Sequence, residues 1–122
     1  MYKITEIQDV SRPRAKRFVA HIQAYTTNKT LIKKIIQNAT EAVKHTNQCS
    51  PRTKEKFGDE PAHVVWLYIH RTSGIICQSM WVTDKKTFTV DHPEEPYTVD
   101  IRLPKPLNYN DYVGDIGIVW RS

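Results

Sequence analysis

The chain has few of the residues on which small secreted proteins and nucleotide-binding proteins depend. Its 122 residues include only two cysteines and four glycines. A small disulfide-stabilised domain normally carries more cysteines, so we expect both thiols to be free in a reducing compartment. The four glycines form no phosphate-binding pattern, which argues against a mononucleotide-binding loop.

Long apolar runs are also missing. No run approaches the roughly 18 residues that a membrane span requires. Residues 1–6 include charged side chains where a signal peptide would be apolar. We therefore expect a cytoplasmic protein without membrane association. With 39% hydrophobic and 25% charged residues, the composition is typical of one globular domain spanning residues 1–122.

Alternating apolar and polar residues predict a series of strands, interrupted by one helix. The predicted strands are 2–10, 18–25, 64–70, 75–82, 86–91, 97–103 and 116–120. Between the second and third strands, Thr26-Thr27-Asn28 supplies a helix start, in which an Asn or Thr oxygen can cap the first turn. An amphipathic helix follows over about residues 29–45, with apolar positions three and four apart. The hydrophilic residues 47–62 predict a long loop.

These elements predict an α+β fold with the order β-β-α-β-β-β-β-β. Short connections favour a mostly antiparallel sheet of five to seven strands. One main amphipathic helix covers one face of this sheet, and there is little room for a second helix. The helix stripe matches the aliphatic set Val65, Leu67 and Ile69 of the third strand. The other face of the sheet then needs solvent, a partner or the chain itself to cover it.

Positive charge is concentrated in the first half of the chain. The net charge is +5 overall, but it is +6 over residues 1–60 and −3 over residues 91–122. A basic turn carries Arg12, Arg14, Lys16 and Arg17, and Lys33 extends it from the helix. Several positive donors on one face are what phosphate groups require, so the turn is a candidate surface for an anion or nucleic acid. A solvated turn is the alternative.

The hairpin carries a second candidate surface. Trp66, Tyr68 and His70 alternate along one face of the third strand, and Trp81 joins them if the register of the hairpin allows it. Aromatic residues of this kind favour a protein interface, self-association or stacking of a planar ligand. They also occur as a second small core beneath the loops and the C-terminal segment.

Signals for catalysis are weak. Asp84 and Lys86 follow a strand, as in a metal-dependent nuclease, but the usual preceding proline-aspartate pair is absent. His45 with Cys49, and His70 with Cys77, do not match paired zinc-ligand spacings. A nucleophile pair of Cys49 with a histidine lacks any oxyanion-hole or orienting signature. We therefore assign no catalytic residue, no metal and no cofactor.

The sequence thus predicts a small binding or regulatory domain rather than an enzyme. Its expected partner is another protein or a second copy of itself. The first alternative is a nucleic-acid-binding protein that uses the basic turn. The second alternative is a metal-dependent nuclease or phosphodiesterase that uses Asp84 and Lys86.

Overall fold

The computed structural model describes residues 1–13, 15–83 and 109–121. Their elements, in chain order, are β1 (Tyr2–Asp9), β2 (Arg17–Ala24), α1 (Lys29–Lys44), α2 (Pro51–Phe57), β3 (Val64–Arg71), β4 (Gly74–Val82), β5 (Asp111–Val113) and β6 (Ile116–Trp120). The strands form one sheet in the order β1-β2-β3-β4-β6-β5. Only β2 and β3 pair in parallel, and the other neighbours are antiparallel.

The predicted fold class is therefore confirmed: an α+β layout with a mostly antiparallel sheet and one main helix. The strand predicted at 116–120 is present as β6, whereas β5 was not predicted. The strands predicted at 86–91 and 97–103 lie outside the described residues, as do Asp84 and Lys86 of the nuclease hypothesis.

Helix α1 forms the crossover that makes β2 and β3 parallel, as a connection of this length allows. The side chain of Asn28 accepts a hydrogen bond from the Leu31 amide and caps the first turn. The buried residues of α1 share one cluster with those of the sheet face beneath it, including Val65, Leu67 and Ile69 as predicted. In the part of the chain that the structure describes, neither helix is long and apolar enough to cross a membrane.

The segment 47–62 contains a second helix, which corrects the expectation that it is a loop. Ser50 caps α2 by accepting from the Thr53 amide, and Pro51 occupies the first turn, where its missing N–H is not needed. Thr53 is the one buried residue of α2. Periodicity did not predict this helix because its seven residues carry no apolar stripe.

The hairpin of β3 and β4 contains a bulge that decides where Trp81 lies. Near the turn, His70 is opposite Ile75, but after the bulge Ile69 is opposite Cys77 and Val65 is opposite Trp81. Without the extra residue, Trp81 would be opposite Val64 and would share a face with Trp66. Because a shift of one residue exchanges the faces of a strand, Trp81 instead belongs to the α1 side of the sheet.

The sheet face opposite α1 holds a second apolar cluster. Trp66 is 2% exposed and Tyr68 7% exposed. The buried members of the cluster are Ala15, Val19, Val64, Trp66, Tyr68, Met80 and Val82. The structure therefore places Trp66 and Tyr68 in a buried second core, where they are not available for base stacking.

Candidate anion-binding site

The residues of the predicted basic turn do not share one exposed patch. Arg12 is exposed, but Lys16 and Arg17 are only 3% and 4% exposed. Lys33 lies on α1, where its ammonium contacts the carboxylate of Asp111 at 3.1 Å. Arg14 lies outside the described residues. Among the described members of this set, the structure brings no two exposed charges together.

Arg17 contacts the second apolar cluster. Its Nε donates to the carbonyl of Val10 at 3.1 Å. Its guanidinium lies 5.5 Å from the centre of the Trp66 ring, within the range of a cation–π contact. The side chain therefore covers the tryptophan with its planar group and is not presented to a partner.

Lys16 is held where β2 begins, between β3 and the end of α2. Its backbone amide donates to Nδ1 of His63 at 2.9 Å, and its carbonyl accepts from the His63 amide at 2.7 Å. Its Nζ donates to two carbonyls that follow α2, those of Gly58 at 3.3 Å and Glu60 at 2.5 Å. Lysine near a helix C-terminus commonly binds the last carbonyls, so Lys16 attaches α2 to the sheet.

The charge of Lys16 has no ionic partner in the described part of the chain. No carboxylate there lies within ion-pair distance of its ammonium. Lysine is rarely buried to this degree unless it is paired, because removing its charge from water is unfavourable. An ammonium group has three N–H donors, and the two carbonyls use two of them. One donor is left for a further acceptor.

Lys16 lines a cavity of about 140 Å³. The other lining residues come from the end of α1, from α2 and from the segments beside them: His45, Thr46, Asn47, Cys49, Lys54, Gly58, Asp59 and Glu60. This volume is smaller than the roughly 300–1,000 Å³ typical of pockets for whole small-molecule ligands. The cavity suits a single small group.

One of the two acidic residues of the cavity, Glu60, is hydrogen-bonded to a histidine beside it. Because Nδ1 of His63 accepts from the Lys16 amide, its Nε2 carries the proton and donates to Glu60 at 2.5 Å. A second lysine, Lys54, also lines the cavity and is exposed. The cavity is therefore lined by two lysines, the buried Lys16 and the exposed Lys54.

His45 and Cys49 both line this cavity, although their spacing predicted no metal site. Cys49 is partly exposed and free, whereas Cys77 is buried in the α1-side core. Burial raises the pKa of the Cys77 thiol to about 12. Within the described ranges no group of three or more histidine, cysteine or acidic side chains has the geometry to hold a metal ion.

A histidine pair lies on the sheet face opposite α1. Nδ1 of His21 and Nε2 of His70 are 2.9 Å apart, and the His21 ring stacks on Tyr68 with centroids at 5.1 Å. Burial and the neighbouring His21 imidazole lower the pKa of His70 below its ordinary value. The pair therefore disfavours double protonation, and His70 has a defined partner on β2 that the sequence did not predict.

A third polar cluster joins α1 to the last two strands. The indole N–H of Trp120 donates to Asp111 at 2.8 Å, and Lys33 pairs with the same carboxylate. These hydrogen bonds, that of Trp120 first and that of the Tyr112 amide next, lower the pKa of Asp111 to about 2. The Nζ of Lys29 lies 4.8 Å from the centre of the Trp120 ring. This cluster accounts for Lys33, which is engaged in attaching α1 to β5.

No family model matches the chain, and no curated protein or solved structure matches it either. Lys16 was a candidate from the sequence as one of four basic turn residues, but its cavity was not predicted. The sequence does contain a signal for α2, because Ser50-Pro51 is typical of a helix start. This pair does not indicate that α2 lies beside Lys16, since that position depends on the tertiary fold.

Proposed function

We propose that the protein is a non-enzymatic binding domain that recognises an anionic group of a partner molecule in the Lys16 cavity. The observation that carries this proposal is the buried Lys16 ammonium, which has two neutral acceptors, no carboxylate within ion-pair distance in the described residues and one donor left over. An anion in the cavity would supply the missing countercharge. Charge-assisted hydrogen bonds of this type are about twice as strong as neutral ones.

The size of the cavity supports a single phosphate or carboxylate group as the ligand. A volume of about 140 Å³ accommodates such a group but not a nucleotide or a drug-sized molecule. The anionic group would therefore belong to a larger partner whose remaining surface lies outside the cavity. Lys54 would contribute a second positive charge.

The dispersal of the basic turn argues for this function over nucleic-acid binding. Phosphate backbones are bound by several exposed cations that release counterions together. Among the described basic residues of the turn only Arg12 is exposed, since Lys16 and Arg17 are buried. A single enclosed ammonium selects one anionic group, whereas a continuous basic stripe follows a phosphate backbone.

The test is isothermal titration calorimetry with inorganic phosphate and, separately, with acetate. For such small ions with a few contacts we expect a Kd on the order of 1 mM for the better ligand. Lys16→Met should weaken binding at least about tenfold because it removes a charge-assisted donor. Lys34→Met is the matched control: it removes the same charge from an exposed position of α1 outside the cavity.

Lys54→Met covers the case in which Lys16→Met unfolds the protein. Lys54 is exposed on α2, so its loss leaves the fold intact while removing the second cation of the cavity. The proposal predicts that Lys54→Met weakens binding and that Lys34→Met does not. Equal affinities for wild type, Lys54→Met and Lys34→Met, or no binding of either anion by the wild type, would contradict it.

A further inference from the structure

The strand β1 is an edge of the sheet. It pairs with β2 on one side, and no described strand lies on its other side. Within the described part of the chain, its outward backbone groups form no hydrogen bond. An edge strand with unpaired N–H and C=O groups is a template for pairing with another strand.

The pairing pattern with β2 identifies the outward groups. The Val10 amide donates to Arg17 at one end, and the Tyr25 amide donates to Met1 at the other. Because hydrogen-bonded and non-hydrogen-bonded pairs alternate along an antiparallel ladder, the intervening outward groups follow from these two bonds. The residues whose amides and carbonyls point away from β2 are Tyr2, Ile4, Ile7 and Asp9.

The spacing of these outward residues is irregular but symmetric. A bulge between Ile4 and Glu6 inserts Thr5, so the steps between outward residues are two, three and two. A regular strand has steps of two throughout and loses register at the bulge. A second copy of β1, running antiparallel, presents the same steps in reverse and keeps register along the full strand.

We infer that two copies of this chain pair through β1, antiparallel and about a two-fold axis between Thr5 and Glu6. Ile4 of each copy lies opposite Ile7 of the other, and Tyr2 lies opposite Asp9. The two-fold axis repeats each of these pairs, which gives four pairs in all. Every one of them joins outward backbone groups to outward backbone groups, so each is a hydrogen-bonded pair. This inference is independent of the anion-binding function, because no lining residue of the Lys16 cavity belongs to β1.

The side chains of β1 are compatible with this pairing on both faces. Ile4 and Ile7 lie on the α1 side, partly buried, and line a cavity of about 320 Å³ between β1 and the end of α1. In the dimer they face the isoleucines of the second copy. Opposed apolar side chains on one face stabilise a strand pair.

Charges on the opposite face are complementary as well. Lys3 lies opposite Gln8 of the second copy, and Glu6 of that copy is its diagonal neighbour, within reach of a long side chain. Lys3 and Glu6 are exposed in the monomer, and Glu6 accepts a hydrogen bond from Gln8. The two-fold axis produces this opposite-charge contact twice.

The experiment is sedimentation velocity over protein concentrations from about 1 µM to about 500 µM, on the full chain. Pairing of one short strand lies at the small end of protein interfaces, so we expect a dimer with a Kd on the order of micromolar. Lys3→Glu should weaken the dimer about tenfold, and Glu6→Lys should do the same. The double variant Lys3→Glu/Glu6→Lys should restore the wild-type affinity. Lys34→Glu, an equal charge change on exposed α1, should have no effect.

A backbone variant provides a second line of evidence. Ile7→Pro removes an amide that donates to no acceptor in the described part of the chain, so circular dichroism should show a folded protein that no longer dimerises. A wild-type chain that stays monomeric over the whole concentration range overturns the inference. A dimer that Ile7→Pro leaves intact, or charge variants without restoration in the double variant, would place the contact elsewhere and overturn it equally.

Discussion

Gly117 is the position at which the structure makes its sharpest stability prediction. It lies in β6, opposite Met80 of β4 and Tyr112 of β5. A methyl group added at Gly117 would meet the ring of Tyr109, and the three nearest ring atoms all lie well inside contact distance. The Tyr109 ring therefore packs directly on the glycine backbone and on the second apolar cluster.

The magnitude of Gly117→Ala follows from this contact. Carbon atoms pack best at about 3.5–4.0 Å, so the Tyr109 ring would have to move by roughly 1 Å or more. Overpacking of this kind typically costs about 1–3 kcal/mol. For a chain of this length, 1 kcal/mol corresponds to a change in Tm of about 4 °C. We therefore expect Gly117→Ala to lower the Tm by roughly 4–12 °C in a thermal unfolding experiment.

A double-mutant cycle with Tyr109→Ala identifies the cause. If the clash with the ring is responsible, Gly117→Ala should have almost no effect in the Tyr109→Ala background, and the coupling should equal most of the single-mutant loss. An unchanged Tm in the single variant would refute the packing described for Gly117. Additive losses in the double variant would refute the role of Tyr109.

Three further predictions follow from the ionisable groups. The Trp120 hydrogen bond is the main reason that the pKa of Asp111 is lowered to about 2 in the folded state. The ionised carboxylate therefore stabilises the folded protein above pH about 4, and this stabilisation is lost as the pH falls toward 2. The stability of Asp111→Asn should lack this loss in an acid denaturation experiment, and identical acid curves for the variant and the wild type would contradict it. Burial and, second, the His21 imidazole lower the pKa of His70, so the folded state loses stability as the pH falls below about 6.5, because the unfolded chain binds the proton more readily. NMR titration of His70 should give a midpoint below that value, and a midpoint at or above it would contradict the burial of His70 beside His21. A thiol reagent should modify Cys49 in the native protein but Cys77 only after unfolding, because Cys77 is buried with a pKa of about 12; rapid modification of two thiols in the native state would exclude this packing.

Local pattern was sufficient for the elements that carry strong periodicity. The alternation in β2 and β3 and the spacing of three and four in α1 correspond to faces that are buried together. Val65, Leu67 and Ile69 meet the α1 stripe because one aliphatic face of a strand and one of a helix have few alternative ways to be buried.

The register of strand pairing could not be predicted from the hydrophobic pattern of the sequence. The position of Trp81 depends on one extra residue in β4, and no feature of Gly74–Val82 marks where that residue is accommodated. One inserted residue changes the face of every residue beyond it. The same limit applies to β1, where the bulge at Thr5 became evident only from its pairing with β2.

The candidate site shows a limit of a different kind. Sequence patterns treat a run of basic residues as solvated, since burying a lysine is normally unfavourable. Lys16 is buried because two carbonyls after α2, more than 40 positions along the chain, accept its N–H groups. α2 was itself missed because its stability comes from a serine cap, a proline and this lysine, and none of these produces a hydrophobic period.

The most direct test of the central claim, that the Lys16 cavity binds an anionic group, is a phosphate titration followed by two-dimensional ¹H–¹⁵N NMR. We expect saturable shifts confined to the amides around the cavity, notably Thr46, Gly58 and Glu60, and half-saturation at a higher phosphate concentration in Lys54→Met. Shifts spread over exposed lysines such as Lys34, or shifts that do not saturate, would contradict a specific binding site. They would indicate only nonspecific attraction between phosphate and a basic protein.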